Sequence, residues 1–383
     1  ELQRVKDQML SRYEKMYNER EKTDSDDRAQ EIIRHFIDNE PAPGIEAEYQ
    51  MMQQMLPMIP VQIFNDFAKQ ILTKENQVLL VSQPQVEGKT LPAKEEMLSI
   101  LNNAMNAEYE AYVDEVITDP LIEKMPKKGK IKKEYKGKFG TTVMELSNGA
   151  KVIVKPTDYA ADQIVFNAFS IGGQFNALEN KEANPSELKL ISAAVEASKF
   201  GTFDNIKLRK YLAGKNVGIS FQMGKAIDNI YGQSTVKDLE TMLQLNYLYF
   251  TDIRPDTETY NATIEQYRAM LKNAEKNPNT IFMDNVYKTW YDNNPIYTQL
   301  KYADLDAANY ETMLNVAKKH LDNAADYTFT FVGNVDIDAL RPLVEQYIAT
   351  LPANKKKHDK LVFTGSQAKG QIVNDFKQEM ETP

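Results

Sequence analysis

The sequence predicts an α+β protein of tandem related domains, each a mixed or antiparallel sheet with helices packed on one face. Three observations carry that expectation. Runs of helical period alternate with runs of strand period, which suits helices layered on a sheet. Two stretches repeat the same order of signals. The first has Phe36-Ile37-Asp38-Asn39-Glu40-Pro41, then Phe67 to Leu72, then Val78 to Val81. The second has Trp290-Tyr291-Asp292-Asn293-Asn294-Pro295, then Val316 to Leu321, then Tyr327 to Val332. A long internal period marks a duplicated supersecondary unit. Lysine-rich stretches then punctuate the chain at Lys124–Lys138 and at Ala353 to Lys360.

Along the chain, Leu2, Val5, Met9, Tyr13 and Met16 fall at helical spacing and predict a helix over 1–20. Thr23, Asp24 and Ser25 supply a break and a cap before a second helix, Ala29 to Ile37. Pro41-Ala42-Pro43-Gly44 interrupts it. Helices are expected near Glu46–Leu56 and Val61–Leu72, a buried strand at Val78–Val81, and a further helix over Lys94–Met105. Lys124–Lys138 reads as a solvated linker, since unpaired like charges stay hydrated. Strand patterns follow. Thr142–Leu146 and Lys151–Lys155 flank Asn148-Gly149, a hairpin signal, and Ile164–Ile171 is a strand ending at the Gly172-Gly173 turn. Asn184-Pro185 starts a helix as cap and first residue, where proline's missing donor costs nothing. Next come a helix over Asp204–Ala213, strands at Val217–Gln222 and Asn229–Ser234, and helices over Leu239–Phe250, Thr257–Ala274 and Thr280–Tyr291. The repeated strand and a helix over Ile337–Ile348 complete the unit, and Leu361-Val362-Phe363 opens a new strand.

Composition narrows the function classes. The 383 residues are 42% hydrophobic and 26% charged, with net charge −9, which disfavours a nucleic-acid binder. No apolar run is long enough for a membrane span. The chain has no cysteine and three histidines, His35, His320 and His358, none in a metal-binding spacing. No catalytic, cofactor-binding or metal-binding residue is assigned within the chain.

The unit at about 138–352 resembles one domain of the pitrilysin/insulinase family of zinc metallopeptidases. The resemblance rests on the Asn148-Gly149 hairpin, the strand ending in Gly172-Gly173, and the helix running into Lys199-Phe200-Gly201-Thr202. It continues through Tyr291-Asp292-Asn293-Asn294-Pro295-Ile296-Tyr297 and Phe331-Val332-Gly333-Asn334-Val335-Asp336. Residues 1–22 and 36–41 are similar to the second domain of bacterial members. The family has four such domains in two halves around a chamber, with zinc held in the first domain by His-x-x-Glu-His and a distal glutamate. The resemblance therefore implies a middle fragment. Residues 1–123 would be the C-terminal part of a second domain, 124–138 a linker, and 139–352 a complete noncatalytic third domain. Residues 353–360 would be a second linker and 361–383 the start of a fourth domain. Counting back from Gly201-Thr202, the zinc motif's positions fall at Ser192, Val195 and Glu196. Only Glu196 could ligate, so zinc is expected in the intact parent protein and not in this fragment.

Bland readings are favoured for the remaining candidates. His35 reads as a surface histidine, and His320 as a packing residue, because Ile71 matches it in the other copy. His358 lies in a solvated linker. The Asp38-Asn39 and Asp292-Asn293 pairs read as helix-ending turns. Met51, Met52, Met55 and Met58 read as a helix-packing core, with an adaptable peptide surface as the alternative. Ser192 has no histidine nearby to act as its base.

The resemblance implies a noncatalytic segment of a zinc metalloendopeptidase, inactive by itself, that contributes chamber wall and substrate contacts. The alternative is a zinc-less scaffold or binding subunit of a two-part assembly. Expected partners are peptide or unfolded polypeptide and the remaining domains of the parent chain or a partner subunit, with no nucleic acid and no membrane span. The resemblance favours a periplasmic over a cytoplasmic location.

Overall fold

The computed structural model describes residues 1–71, 75–83, 88, 90–110, 113–114, 117–274, 277–354, 361–362 and 365–375. Helices α1 (Leu2–Asn18), α2 (Ser25–Asp38), α3 (Ile45–Met58), α4 (Val61–Ile71) and α5 (Lys94–Asn106) come first. The sheet region follows with β1 (Ile131–Lys136), β2 (Thr142–Leu146), β3 (Lys151–Pro156), β4 (Ile164–Ile171), α6 (Gly173–Glu179), α7 (Pro185–Glu196), β5 (Lys199–Phe200) and α8 (Asn205–Tyr211). Then come β6 (Val217–Met223), β7 (Ile227–Ser234), α9 (Leu239–Thr251), β8 (Ile253–Arg254), α10 (Thr257–Ala274), α11 (Pro278–Trp290), α12 (Tyr302–Ala307), α13 (Tyr310–Leu321), β9 (Thr328–Gly333) and α14 (Ile337–Leu343). A π turn, Val344–Ile348, continues α14 just past Pro342, which has no N–H to donate to the helix ladder.

Seven strands form one mixed sheet in the order β1-β2-β3-β9-β4-β7-β6. Only the β3–β9 pairing is parallel among its described ladders. The β2–β3 hairpin turns through Gly149, whose φ of +89° is cheap only for glycine. Alternation along each strand sends Phe166, Ala168, Ile230, Phe329 and Phe331 to one face, all nearly inaccessible. Helices α7, α9 and α13 contribute Ile191, Val195, Met242, Leu243, Met313 and Ala317 to the same core. Phe166 and Phe331 ring centroids lie 5.0 Å apart, and Phe250 meets Tyr327 edge-on at 5.0 Å. Each buried side chain of this size contributes roughly 2 kcal/mol of transfer free energy. The expected α+β architecture, a mixed sheet with helices on one face, is what the chain adopts.

Four expectations need correction. Val78–Val81 forms no strand, and Val78 and Leu80 are 92% and 86% exposed. Its counterpart β9 lies between β3 and β4, where both edges of its backbone are paired. A lone apolar run has no such neighbours for its N–H and C=O groups, so periodicity alone cannot make it a strand. Secondly, Lys132 and Lys133, read as linker, belong to β1 at the sheet edge, where lysine discourages further pairing. Thirdly, Met51, Met55 and Met58 are exposed rather than packed. The expected strand at 361–363 is not formed by Leu361 and Val362, and Phe363 lies outside the described residues.

Helices α2, α4 and α5 bury no side chain, although Ile32, Phe36, Ile37, Phe64 and Phe67 lie on them. Helix α1, by contrast, is fastened to the sheet region. Glu19, just past its end, accepts hydrogen bonds from the Ala161 and Asp162 amides at 2.7 and 2.6 Å. Asn216 Nδ2 donates to Ser11 Oγ at 2.6 Å, and the largely buried Lys6 donates to the Ile59 carbonyl after α3 at 2.7 Å.

Candidate functional site

Helix α7 carries Ser192, Val195 and Glu196, the three positions that the resemblance sets against the zinc motif. Its start is fixed by a capping box: Asn184 accepts from the Glu187 amide at 2.9 Å, and Glu187 accepts from the Asn184 amide at 2.8 Å. Leu188, Ile191 and Val195 face the core, which turns Ser192 and Glu196 toward β6. Strand β6 is an outer strand of the sheet, and residues 219, 221 and 223 direct their backbone groups away from β7. Ser192 Oγ accepts from the Met223 amide at 3.1 Å, and Glu196 Oε1 accepts from the Phe221 amide at 3.2 Å. Tyr249 donates to Glu196 Oε1 at 3.0 Å. The site therefore closes a sheet edge. Glu196 is exposed as a residue, yet crowding at its carboxyl governs its titration: desolvation raises the pKa despite the two bonds that lower it. Ser192 and the inaccessible Val195 offer neither an imidazole nor a general base, so these residues do not fit zinc. Among the described residues no group of three or more histidine or carboxylate side chains is arranged to hold a metal ion.

Among the described residues, no helix covers the opposite face of the sheet. Val165, Phe169 and Ile171 of β4 point there with Ile227 and Tyr231 of β7, and each is between 36% and 46% exposed. A row of exposed apolar groups on a regular sheet is a surface suited to contact with another polypeptide.

A second polar cluster lies under α13. His320 donates from Nδ1 to Asp228 Oδ2 at 2.8 Å and from Nε2 to Glu182 Oε2 at 3.1 Å. Burial opposes the imidazolium, but the two carboxylates outweigh it and raise the His320 pKa to about 9. Burial likewise opposes the Glu182 carboxylate, which His320 and Lys319 nevertheless hold at about 2. His320 is thus a buried cation between two anions, which corrects its reading as a packing residue. With both ring nitrogens protonated it has no lone pair for a metal.

No family model matches the chain, but individual relatives do. It is 25% identical over 358 residues to an Arabidopsis thaliana protein described as zinc protease PQQL-like, and 23% identical over 332 residues to probable zinc protease PqqL of Haemophilus influenzae. These alignments cover 92% and 84% of the chain but only 34% of either relative. Among solved structures, the periplasmic protease PqqL of Escherichia coli matches 95% of the chain and 40% of its own length, with TM-score 0.54 and 19% identity. The ferredoxin protease FusC, in complex with Arabidopsis ferredoxin, matches 91% of the chain and 37% of its own length, with TM-score 0.53 and 18% identity. The chain is related to the pitrilysin/insulinase zinc proteases. It spans about a third of the length of the curated relatives it matches.

The remaining sequence candidates behave as local structure. His35 Nδ1 lies 2.7 Å from the Glu40 carbonyl on the surface. Asn39 ends α2 at φ +58°, and Asp292 and Asn293 follow α11 at φ +51° and +57°, so both Asp-Asn pairs make helix-ending turns. His358 and Lys355 to Lys357 lie outside the described residues. The sheet face was missed from sequence because its exposed residues match ordinary strand alternation. No helix among the described residues is long and apolar enough to cross a membrane.

Proposed function

We propose that the chain is the noncatalytic middle of a zinc metalloendopeptidase of the pitrilysin/insulinase type. In this reading 1–123 is the end of a second domain, 139–352 a complete third domain, and 361–383 the start of a fourth. The single observation that supports the noncatalytic role is the α7 site, where Ser192 and Glu196 bond strand amides and no ligand set remains. The bare sheet face of β4 and β7 would form chamber wall and touch peptide or unfolded polypeptide substrate. Exposed Phe36, Phe64 and Phe67 on α2 and α4 would pack against the rest of the second domain. The periplasm is the proposed compartment, supported by the description of the Escherichia coli structural relative as periplasmic.

The test compares this chain with the product of the whole reading frame, assaying zinc content and hydrolysis of a disordered peptide. The whole product is expected to bind zinc and hydrolyse, and the 383-residue chain to do neither. Chelator-sensitive hydrolysis by the chain would overturn the assignment. A whole product without zinc or hydrolysis would identify a zinc-less scaffold instead.

A further inference from the structure

The bare sheet face is uneven in charge. Following the register outward from β6, its β6, β7, β4 and β9 positions carry no ionisable group except the Tyr231 phenol; they include Ser220, Asn167, Phe169 and Thr330 beside Tyr231. The three strands at the other end differ. Lys151 and Lys155 of β3 and Lys133 of β1 point to the same face, and the one carboxylate among them is Glu145 of β2. Glu145 accepts from the Tyr135 hydroxyl at 3.2 Å, and none of the three lysines makes an ion pair among the described residues. Lys155 donates to the Phe139 carbonyl at 2.7 Å, and Lys133 lies 4.8 Å over the Tyr135 ring. The patch thus carries three cations and one anion on a chain of net charge −9.

We infer that this face takes an extended polypeptide segment that is apolar or amide-rich along most of its length and acidic at the end lying over β1–β3. The inference rests on the proposed role of the bare face and adds direction and substrate class. Charge complementarity selects the occupant: Lys133, Lys151 and Lys155 attract carboxylates and repel a basic terminus, while the uncharged strands would leave any charge of the ligand unpaired. Scale agrees. Six inter-strand spacings of about 4.8 Å give a face roughly 29 Å wide, which an extended segment of about nine residues crosses. Lysine at an edge strand also deters strand pairing, but that accounts for Lys133 only, since β3 is interior.

Fluorescence anisotropy on the 383-residue chain tests this with two labelled peptides sharing one apolar, uncharged stretch, one ending in aspartates and the other in lysines. The aspartate peptide is expected to bind about tenfold more tightly, with the difference shrinking as salt screens it. Lys151→Glu with Lys155→Glu should reverse the preference, and Phe169→Asp should weaken both peptides, with folding of each variant checked by circular dichroism. Equal binding of the two peptides, or a preference that survives charge reversal, overturns the inference while leaving the face as a binding surface. Binding insensitive to Phe169→Asp, or no binding of either peptide, overturns the bare-face reading itself.

Discussion

His320 illustrates what a single residue can conceal. Its partners are 92 and 138 positions away in sequence, so nothing local marks it as charged. Asp228 is 2% exposed; its Oδ1 has no partner among the described residues, and its Oδ2 is held by the imidazolium at 2.8 Å and by the Gly173 amide at 3.3 Å. His320→Gln is therefore expected to destabilise the chain by about 3 kcal/mol near pH 6, because it leaves a buried carboxylate uncompensated. The sign of the pH dependence follows from the raised pKa. The contribution of His320 is full below its unfolded value of 6.5 and is lost as pH rises through about 9. The lowered Glu182 pKa acts in the other direction, its contribution being lost as pH falls through about 2. Both shifts express one shared interaction and are not additive. Urea denaturation across pH should show the variant and the parent chain converging above pH 9; a gap that persists there would count against the ion cluster. Asn246 is a contrasting case, fully inaccessible with neither side-chain amide atom bonded among the described residues. Asn246→Leu should raise stability by roughly 1 kcal/mol, measured as a higher Tm, since it removes an unsatisfied buried amide.

At the scale of elements, the parts legible in sequence are those set by neighbours along the chain. Asn184, Pro185 and Glu187 specify the start of α7, and Asn148-Gly149 specifies the β2–β3 turn, because caps and tight turns are satisfied within a few residues. Asn184→Ala is expected to cost about 1 kcal/mol in thermal or urea unfolding, with the sheet unchanged by circular dichroism. Gly333 has a tertiary constraint instead. It sits at φ +133°, and a Cβ there would meet the Gln163 carbonyl oxygen at 2.1 Å, where β9 passes β4. Gly333→Ala should lower Tm sharply, by more than the cap variant, and an equal or smaller loss would contradict the close approach. Val78–Val81 fails for the complementary reason: its apolar pattern is right, but no strand among the described residues pairs with it.

Across the whole molecule, stability is concentrated in 121–351, where the continuous core lies, while α2, α4 and α5 bury no side chain. Hydrogen exchange should therefore be fast in α2, α4 and α5 and slow in β4, β7, β9 and α9, with α1 intermediate because Glu19 and Ser11 tie it to the sheet region. Uniform protection across both regions would contradict this division. The α+β class, the β2–β3 hairpin and the Asn184 cap were all written in the chain, because each depends on periodicity or on contacts a few residues apart. Tertiary structure alone decided which apolar run gained strand partners, that His320 became a buried cation, and that Ser192 and Glu196 close the edge of β6. It alone left one sheet face without a helical cover among the described residues, uncharged at one end and basic at the other. Those outcomes depend on groups far apart in sequence meeting at hydrogen-bond distance, and on which surfaces the fold covers.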